Sequence, residues 1–216
     1  MKDIHMNKTS QYLQSITPVS SSWAQKLEQY AIENRVPIID RVSIQVLLQL
    51  IRIQSPKNIL EIGTAIAYST LRMHETLPSA NIVTIEKNEQ MYELAKRNIA
   101  RYASNDHIDI IHGDAVEELE RFRNDQLFDF VFIDAAKGQY EQYVKLIHPM
   151  LNEGAIIVSD NVLFREFVTR EQHDVPKRFK SLVKKLTTFN EHMMNHEQYH
   201  SSMIPVGDGL LVSVKI

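Results

Sequence analysis

The 216-residue chain contains no cysteine. That excludes disulfides, thiolate metal sites and a cysteine nucleophile, and it is compatible with a reducing compartment. Glycine is scarce, with six residues, and the scarcity bears on one motif: the turn LEIGTAIAYST keeps only the first glycine of the dinucleotide pattern G-x-G-x-x-G. Long apolar runs are missing as well. The opening MKDIHMNKTSQYLQSIT lacks the continuous apolar segment of a signal peptide, and no later stretch reaches membrane-spanning length. A cytoplasmic protein without a membrane partner is expected. Neither charge sign dominates: 24 Lys and Arg against 27 Asp and Glu leave a formal charge of -3, which argues against a generally basic nucleic-acid binder while leaving room for local patches.

What is present is an ordinary globular composition, 44% hydrophobic and 24% charged, on a chain long enough for one sizeable core. We therefore expect a single domain over 1–216, with N-terminal helices within 1–56 packing on the core. In SSWAQ, Ser22 and Gln25 offer a capping box, and Trp23, Leu27, Tyr30 and Ala31 recur on one helical face until Pro37 stops the pattern. That periodicity makes Trp23 a packing residue rather than a base-stacking platform. A second helix follows in DRVSIQVLLQLIRIQSP, with Ile44, Leu47, Leu48 and Ile51 on one stripe and Pro56 as terminator.

From Asn58 onward, apolar strands (NILEIG, NIVTIE, HIDIIHGD, FDFVFID, AIIVSD) alternate with helical segments. Strands apolar throughout require a parallel sheet covered on both faces, so the fold class is α/β, doubly wound and Rossmann-like. The C-terminal YHSSMIPVGDGLLVSVKI reads as an antiparallel hairpin about a GDG turn.

In such sheets ligands bind beyond the carboxyl ends of the strands, and those ends carry the informative residues. Gly63 permits a tight turn close to a ligand, Ala65 and Ala67 keep the backbone accessible, and Ser69 offers a hydroxyl. Glu86 ends the next strand at about the ~20-residue spacing from which an acid grips a ribose diol. Asp114 and Ala115 close the third strand, positioned to flank a purine. The fourth and fifth strands stop on Asp134 and on Asp160–Asn161, which suits either turn and cap residues or a metal site.

With these pieces together, the chain resembles a class I S-adenosylmethionine (SAM)-dependent methyltransferase, within it the cation-dependent O-methyltransferase family that includes catechol and caffeoyl-CoA O-methyltransferases. The carriers are LEIGTAIAYST, TIE, GDA, FIDAAKGQY and VSDN, and the likeness runs from about Pro37 to the C-terminus. The short N-terminal helices, IIDR and DAAKGQY are similar to the bacterial branch that methylates tRNA 5-hydroxyuridine. The resemblance implies a mostly parallel seven-stranded sheet and a homodimer. It implies a SAM site of Ile39, Gly63, Ser69, Glu86, Asp114, Ala115 and Asp134, a cation held by Asp134, Asp160 and Asn161, and Lys137 as the base, with Asp134 and Lys137 the catalytic pair. Two carboxylates and an amide are hard ligands, suited to Mg²⁺ or Mn²⁺. One position departs from the family: Ala67 stands where a second glycine is usual, and its methyl is expected to loosen the cofactor.

A cation there would be chelated by two neighbouring substrate oxygens, which admits catechols and 5-hydroxyuridine alike. The cationic helix VPKRFKSLVKKL puts Phe179, Leu182, Val183 and Leu186 on an inner face and Lys177, Arg178, Lys180, Lys184 and Lys185 elsewhere. A cationic face is usually just solvated, but added to the likeness to the tRNA-methylating branch it tips the expected substrate toward the tRNA anticodon loop, with Arg41, Arg165 and Arg170 supplementing the surface. A small-molecule catechol-type methyltransferase is the alternative. An NAD-dependent oxidoreductase would leave Asp134, Asp160 and Asn161 without a purpose, and a non-catalytic binding module would show decay at the metal and base positions.

Overall fold

A computed structural model of the protein describes residues 8–103, 105–122 and 127–216. Three helices come first: α1 (Lys8–Ile16), α2 (Ser22–Asn34) and α3 (Arg41–Gln54). α3 buries Ile44, Leu47, Leu48 and Ile51 along the expected stripe. The Asp40 carboxylate starts it, accepting from the backbone N–H groups of Val42 and Ser43. In α2 the Trp23 ring stacks on Tyr102 with centroids 5.6 Å apart, and its Nε1 donates to Glu75 at 3.1 Å, so it is a packing residue. The Ser22–Gln25 capping box does not form. The N-cap is Ser21, which makes no side-chain cap bond, and the Gln25 amide donates to the Ser20 carbonyl. Three consecutive serines, Ser20 to Ser22, offer equivalent caps, and the burial of Ala24, Leu27 and Ala31 sets the phase among them. The part of the N-terminal expectation that falls on residues 1–7 lies outside the described residues.

The α/β alternation follows: β1 (Asn58–Ile62), α4 (Tyr68–Thr76), β2 (Asn81–Glu86), α5 (Glu89–Tyr102), β3 (Ile108–His112), α6 (Ala115–Arg121), β4 (Phe128–Ile133), α7 (Tyr140–Ile147) and β5 (Leu151–Asp160). After α8 (Lys180–Met194), the strands β6 (Tyr199–Ile204) and β7 (Leu210–Lys215) complete one seven-stranded sheet of order β3-β2-β1-β4-β5-β7-β6. The first five strands pair in parallel, and β7 runs antiparallel to both its neighbours, the doubly wound fold with its terminal hairpin. Two cores result, one on each face. Ile59, Phe130, Phe132 and Val158 point to the layer of α2–α5, while Leu60, Val131, Ile133 and Ile157 point to α6–α8. This is why the strands read as unbroken apolar runs. Chain order reverses between β1 and β4, and a crevice lies beyond the carboxyl ends of those strands. Among the described residues no helix is long and apolar enough to cross a membrane.

Candidate active site

The crevice encloses about 530 Å³, within the ordinary size range of ligand sites. Its floor is the turn after β1. Gly63 has φ +100°, and a Cβ there would overlap the carbonyl oxygen of Asp134, so only glycine lets the β1 and β4 loops approach so closely. Ala65 and Ala67 also have positive φ, 46° and 63°. The Ala67 methyl is fully buried in the apolar core and is not among the residues lining the crevice, so any effect on the cofactor passes through the left-handed backbone it holds.

Glu86 braces this turn. Its Oε2 accepts from Ala65 N at 2.7 Å and its Oε1 from Asn88 N at 2.7 Å. An ionised carboxylate has about four lone-pair sites, so capacity remains for a diol. Asp114 caps α6 through Val116 N at 2.9 Å and pairs with Lys87 at 2.8 Å. The Lys87 hydrogen bond holds the Asp114 carboxyl below the usual carboxylate range. Ile39, Ser69 and Ala115 line the same crevice.

Beneath the floor lies a residue that sequence reasoning overlooked. Glu61, wholly buried in β1, accepts hydroxyl hydrogen bonds from Ser69 at 2.5 Å, Thr84 at 2.6 Å and Thr70. Burial drives its carboxyl up to about 7 against those three stabilising bonds. Ser69 therefore lines the crevice with its hydroxyl committed inward.

The strand-end acids lie where β4 and β5 leave the sheet. Asp134, Lys137 and Asn161 line the crevice, and Asp160 is buried behind them at 1% exposure. Burial raises the Asp134 carboxyl, with the Lys137 charge opposing it, and burial together with the Asp134 charge raises Asp160. Asp160 Oδ1 accepts from Asn161 N at 2.6 Å, while Oδ2 is buried without a partner. Tyr140, whose hydroxyl donates to the Asp160 carbonyl at 2.9 Å, holds the strand end from below. Two desolvated, mutually repelling carboxylates and an orphaned oxygen are the arrangement a hard cation would relieve. No group of three His, Cys, Asp or Glu side chains converges among the described residues; beside the two carboxylates the crevice offers the neutral Asn161 amide.

The cationic residues lie elsewhere. Arg41 turns to the N-terminal layer, its Nη2 donating to the Pro18 carbonyl at 3.1 Å and its Nε 4.0 Å from Glu28. Arg170 and Arg178 lie over the rings of Phe167 and Phe179, at 5.0 and 4.5 Å from the centroids. Lys177, Lys184, Lys185 and Arg165 are exposed and Lys180 is half-buried. A Cβ on Gly138 would stand 3.9 Å from Lys185 Nζ, so this face reaches the loop that carries Lys137. None of these seven 165–185 cations forms an ion pair among the described residues.

The sheet order, the glycine turn at its reversal and the acid ending β2 define a class I methyltransferase architecture. Residues 19–216 match the O-methyltransferase family, and the chain belongs to that family. The caffeoyl-CoA O-methyltransferase of Populus kitakamiensis is 31% identical over 169 residues, covering 76% of this chain and 72% of that one. A Staphylococcus aureus structure superposes with a TM-score of 0.89 at 35% identity, over 96% of this chain and 99% of that one. TomG of Streptomyces achromogenes, an O-methyltransferase of tomaymycin synthesis solved in complex with SAM, gives 0.83 at 25% identity over 100% and 99%. The protein is a SAM-dependent O-methyltransferase of the caffeoyl-CoA O-methyltransferase type.

Proposed function

We propose that the protein methylates one oxygen of a vicinal pair on a small aromatic diol, with a divalent cation, Mg²⁺ or Mn²⁺, held by Asp134, Asp160 and Asn161. The observation that carries this is the buried, partnerless Oδ2 of Asp160 beside the repelling charge of Asp134. When bound, SAM supplies an electrophilic methyl group and the cation supplies the positive charge that stabilises a deprotonated substrate oxygen. The chain does the rest by orientation and proton handling. Glu86 has lone pairs left for the ribose hydroxyls, Asp114 and Ala115 flank the base, and Ile39 closes the crevice from the N-terminal side. Lys137 Nζ takes the proton from the substrate hydroxyl. Tyr140 and the Asn161 main chain keep the Asp160 carboxylate aimed. Positioning of this kind is the larger part of catalysis where no covalent intermediate is needed. The relatives named as caffeoyl-CoA O-methyltransferases, and TomG, favour a small-molecule substrate.

A second reading is methylation of 5-hydroxyuridine in the tRNA anticodon loop. It is favoured by the unpaired cations of 165–185 and by Lys185 beside Gly138. Seven basic residues face three acidic ones between positions 163 and 188, a local excess of four on a chain of formal charge -3. Labelled SAM offered in parallel to a mixture of aromatic diols and to tRNA carrying unmethylated hydroxyuridine separates the two. Label in the diol fraction alone supports the first reading. Label in tRNA nucleosides, lost when Lys177, Arg178, Lys180, Lys184 and Lys185 become Gln and weakened by salt, supports the second.

A further inference from the structure

Four non-glycine residues of the loop after β5 have left-handed backbone: Asn161 (φ 56°), Phe164 (41°), Arg165 (57°) and Glu166 (59°). Asparagine tolerates that region, but phenylalanine, arginine and glutamate do so only when surrounding structure over-determines them. This loop does not hold its shape by its own preferences. Besides its own turn bonds and the Asn190 amide on the Val162 carbonyl, it is braced by a distant part of the chain, the turn 206–209 between β6 and β7. Val162 N donates to the Gly209 carbonyl at 3.1 Å and Leu163 N to the Asp208 carbonyl at 2.8 Å, extending the β5–β7 ladder past its last register pair, Asp160 with Leu210. The turn is itself closed by Gly209 N donating to Val206 O at 2.8 Å. On its other side it presses on the start of α3, where a Cβ on Gly207 would overlap the Asp40 carboxylate and the Ser43 hydroxyl. A Cβ on Gly209, at φ +87°, would stand 2.5 Å from Leu163 Cγ.

We propose that turn 206–209, through Gly209 above all, is the positioning element that sets Asn161 for cation binding. The proposal rests on the cation reading above. The turn touches the loop that carries Asn161 and the cap of α3 beside Ile39, and it contributes no residue to the crevice lining. Its effect should therefore fall on cation affinity and leave the SAM site alone.

Gly154 provides a matched control. It too has positive φ, +75°, but lies at the opposite end of β5 with open space around it. Gly154→Ala thus imposes comparable backbone strain on the same strand without disturbing the loop. Mn²⁺ binding, followed by electron paramagnetic resonance on the folded protein without substrate, and SAM binding by calorimetry would be measured for wild type, Gly209→Ala and Gly154→Ala. The expected result is an about tenfold or greater loss of Mn²⁺ affinity in Gly209→Ala alone, the scale typical of residues that orient metal ligands. SAM affinity should stay within about twofold in both variants, since neither Gly209 nor Gly154 lines the crevice. Unchanged Mn²⁺ affinity in Gly209→Ala, or an equal loss in Gly154→Ala, would overturn the proposal. A wild type that binds no Mn²⁺ would remove the cation reading on which it stands. If Gly209→Ala does not fold, Leu163→Ala, which removes the side chain packed against Gly209, takes its place, with a loss of Mn²⁺ affinity expected and an unchanged affinity overturning the proposal.

Discussion

Replacing Glu61 by Gln tests the buried network under the crevice floor, and its outcome has a definite sign and pH window. Glu61 is fully buried, and desolvation lifts its carboxyl from 4.5 to about 7 despite hydroxyl bonds from Ser69, Thr70 and Thr84. A carboxyl raised on folding binds its proton more tightly in the native state, so its contribution is fully present below 4.5 and is lost as pH rises through about 7. Each unit of displacement is worth about 1.4 kcal/mol, so at pH 8 the ionised residue costs the fold about 3 kcal/mol, and at pH 5 less than about 1 kcal/mol. Glutamine keeps the shape and an acceptor oxygen, and hydroxyls on the side of its amide nitrogen can rotate to accept from it while the rest go on donating to its oxygen. Any fixed cost of the exchange is the same at every pH, so the slope carries the test. In urea unfolding with EDTA present, Glu61→Gln should gain on wild type by about 2–3 kcal/mol between pH 5 and pH 8. A stability difference that does not move with pH would mean that Glu61 ionises normally, and that its three hydrogen bonds, rather than its burial, set its charge.

Asp160 and Glu86 should separate cleanly. In EDTA at pH 8, Asp160→Asn should stabilise the protein by about 1–3 kcal/mol, because it removes an uncompensated buried charge. The gain should vanish in acid, where wild-type Asp160, its proton held tightly by burial and by Asp134, is already neutral. The same variant should lose divalent-cation binding and retain SAM, whereas Glu86→Ala should weaken SAM and free the Ala65 and Asn88 N–H groups it holds; calorimetry that finds equal SAM loss in both would refute the division. Lys137→Ala should fold and bind SAM but react about 10²–10⁴-fold more slowly, the usual contribution of a positioned base. That deficit should shrink as pH rises and the substrate ionises unaided; a pH-independent loss would assign Lys137 to positioning. Ala67→Gly trades relief of left-handed strain, about 1–2 kcal/mol, against a buried methyl worth about 0.8 kcal/mol and greater freedom of the unfolded chain. Stability should change by less than about 1 kcal/mol and SAM affinity not at all; a gain of affinity would show that the Ala67 methyl does loosen the cofactor.

The sheet was legible because each parallel strand is covered on both faces, and a run such as FDFVFID has no other stable use. Its polar ends were legible for the same reason: Asp134 and Asp160 interrupt apolar runs where a strand leaves the core, and the crevice brings Asp134 and Asn161 together with Glu86 and Gly63. What escaped depends on partners far apart in the chain. Glu61 stood in plain view in LEIG as the lone charge of an apolar strand, but its partner Thr84 lies 23 residues away and nothing local announces the pairing. The strand-to-helix turn puts the Ser69 hydroxyl near a ligand, but the buried Glu61 carboxyl claims that hydroxyl first. The left-handed run Phe164, Arg165 and Glu166 has no signature at all, since those residues disfavour the conformation they adopt. Asn190, whose amide donates to the Val162 carbonyl from α8 at 2.9 Å, likewise acts through a contact that only the fold creates.

On the proposed reading, methyl transfer depends on a cation bound by two substrate oxygens side by side. Transfer of labelled methyl from SAM to 3,4-dihydroxybenzoate and to 4-hydroxybenzoate would be measured, each with Mg²⁺ and with excess EDTA. Product is expected from the diol with Mg²⁺ and from no other combination. Comparable turnover of the monophenol, or of the diol in EDTA, would contradict that reading.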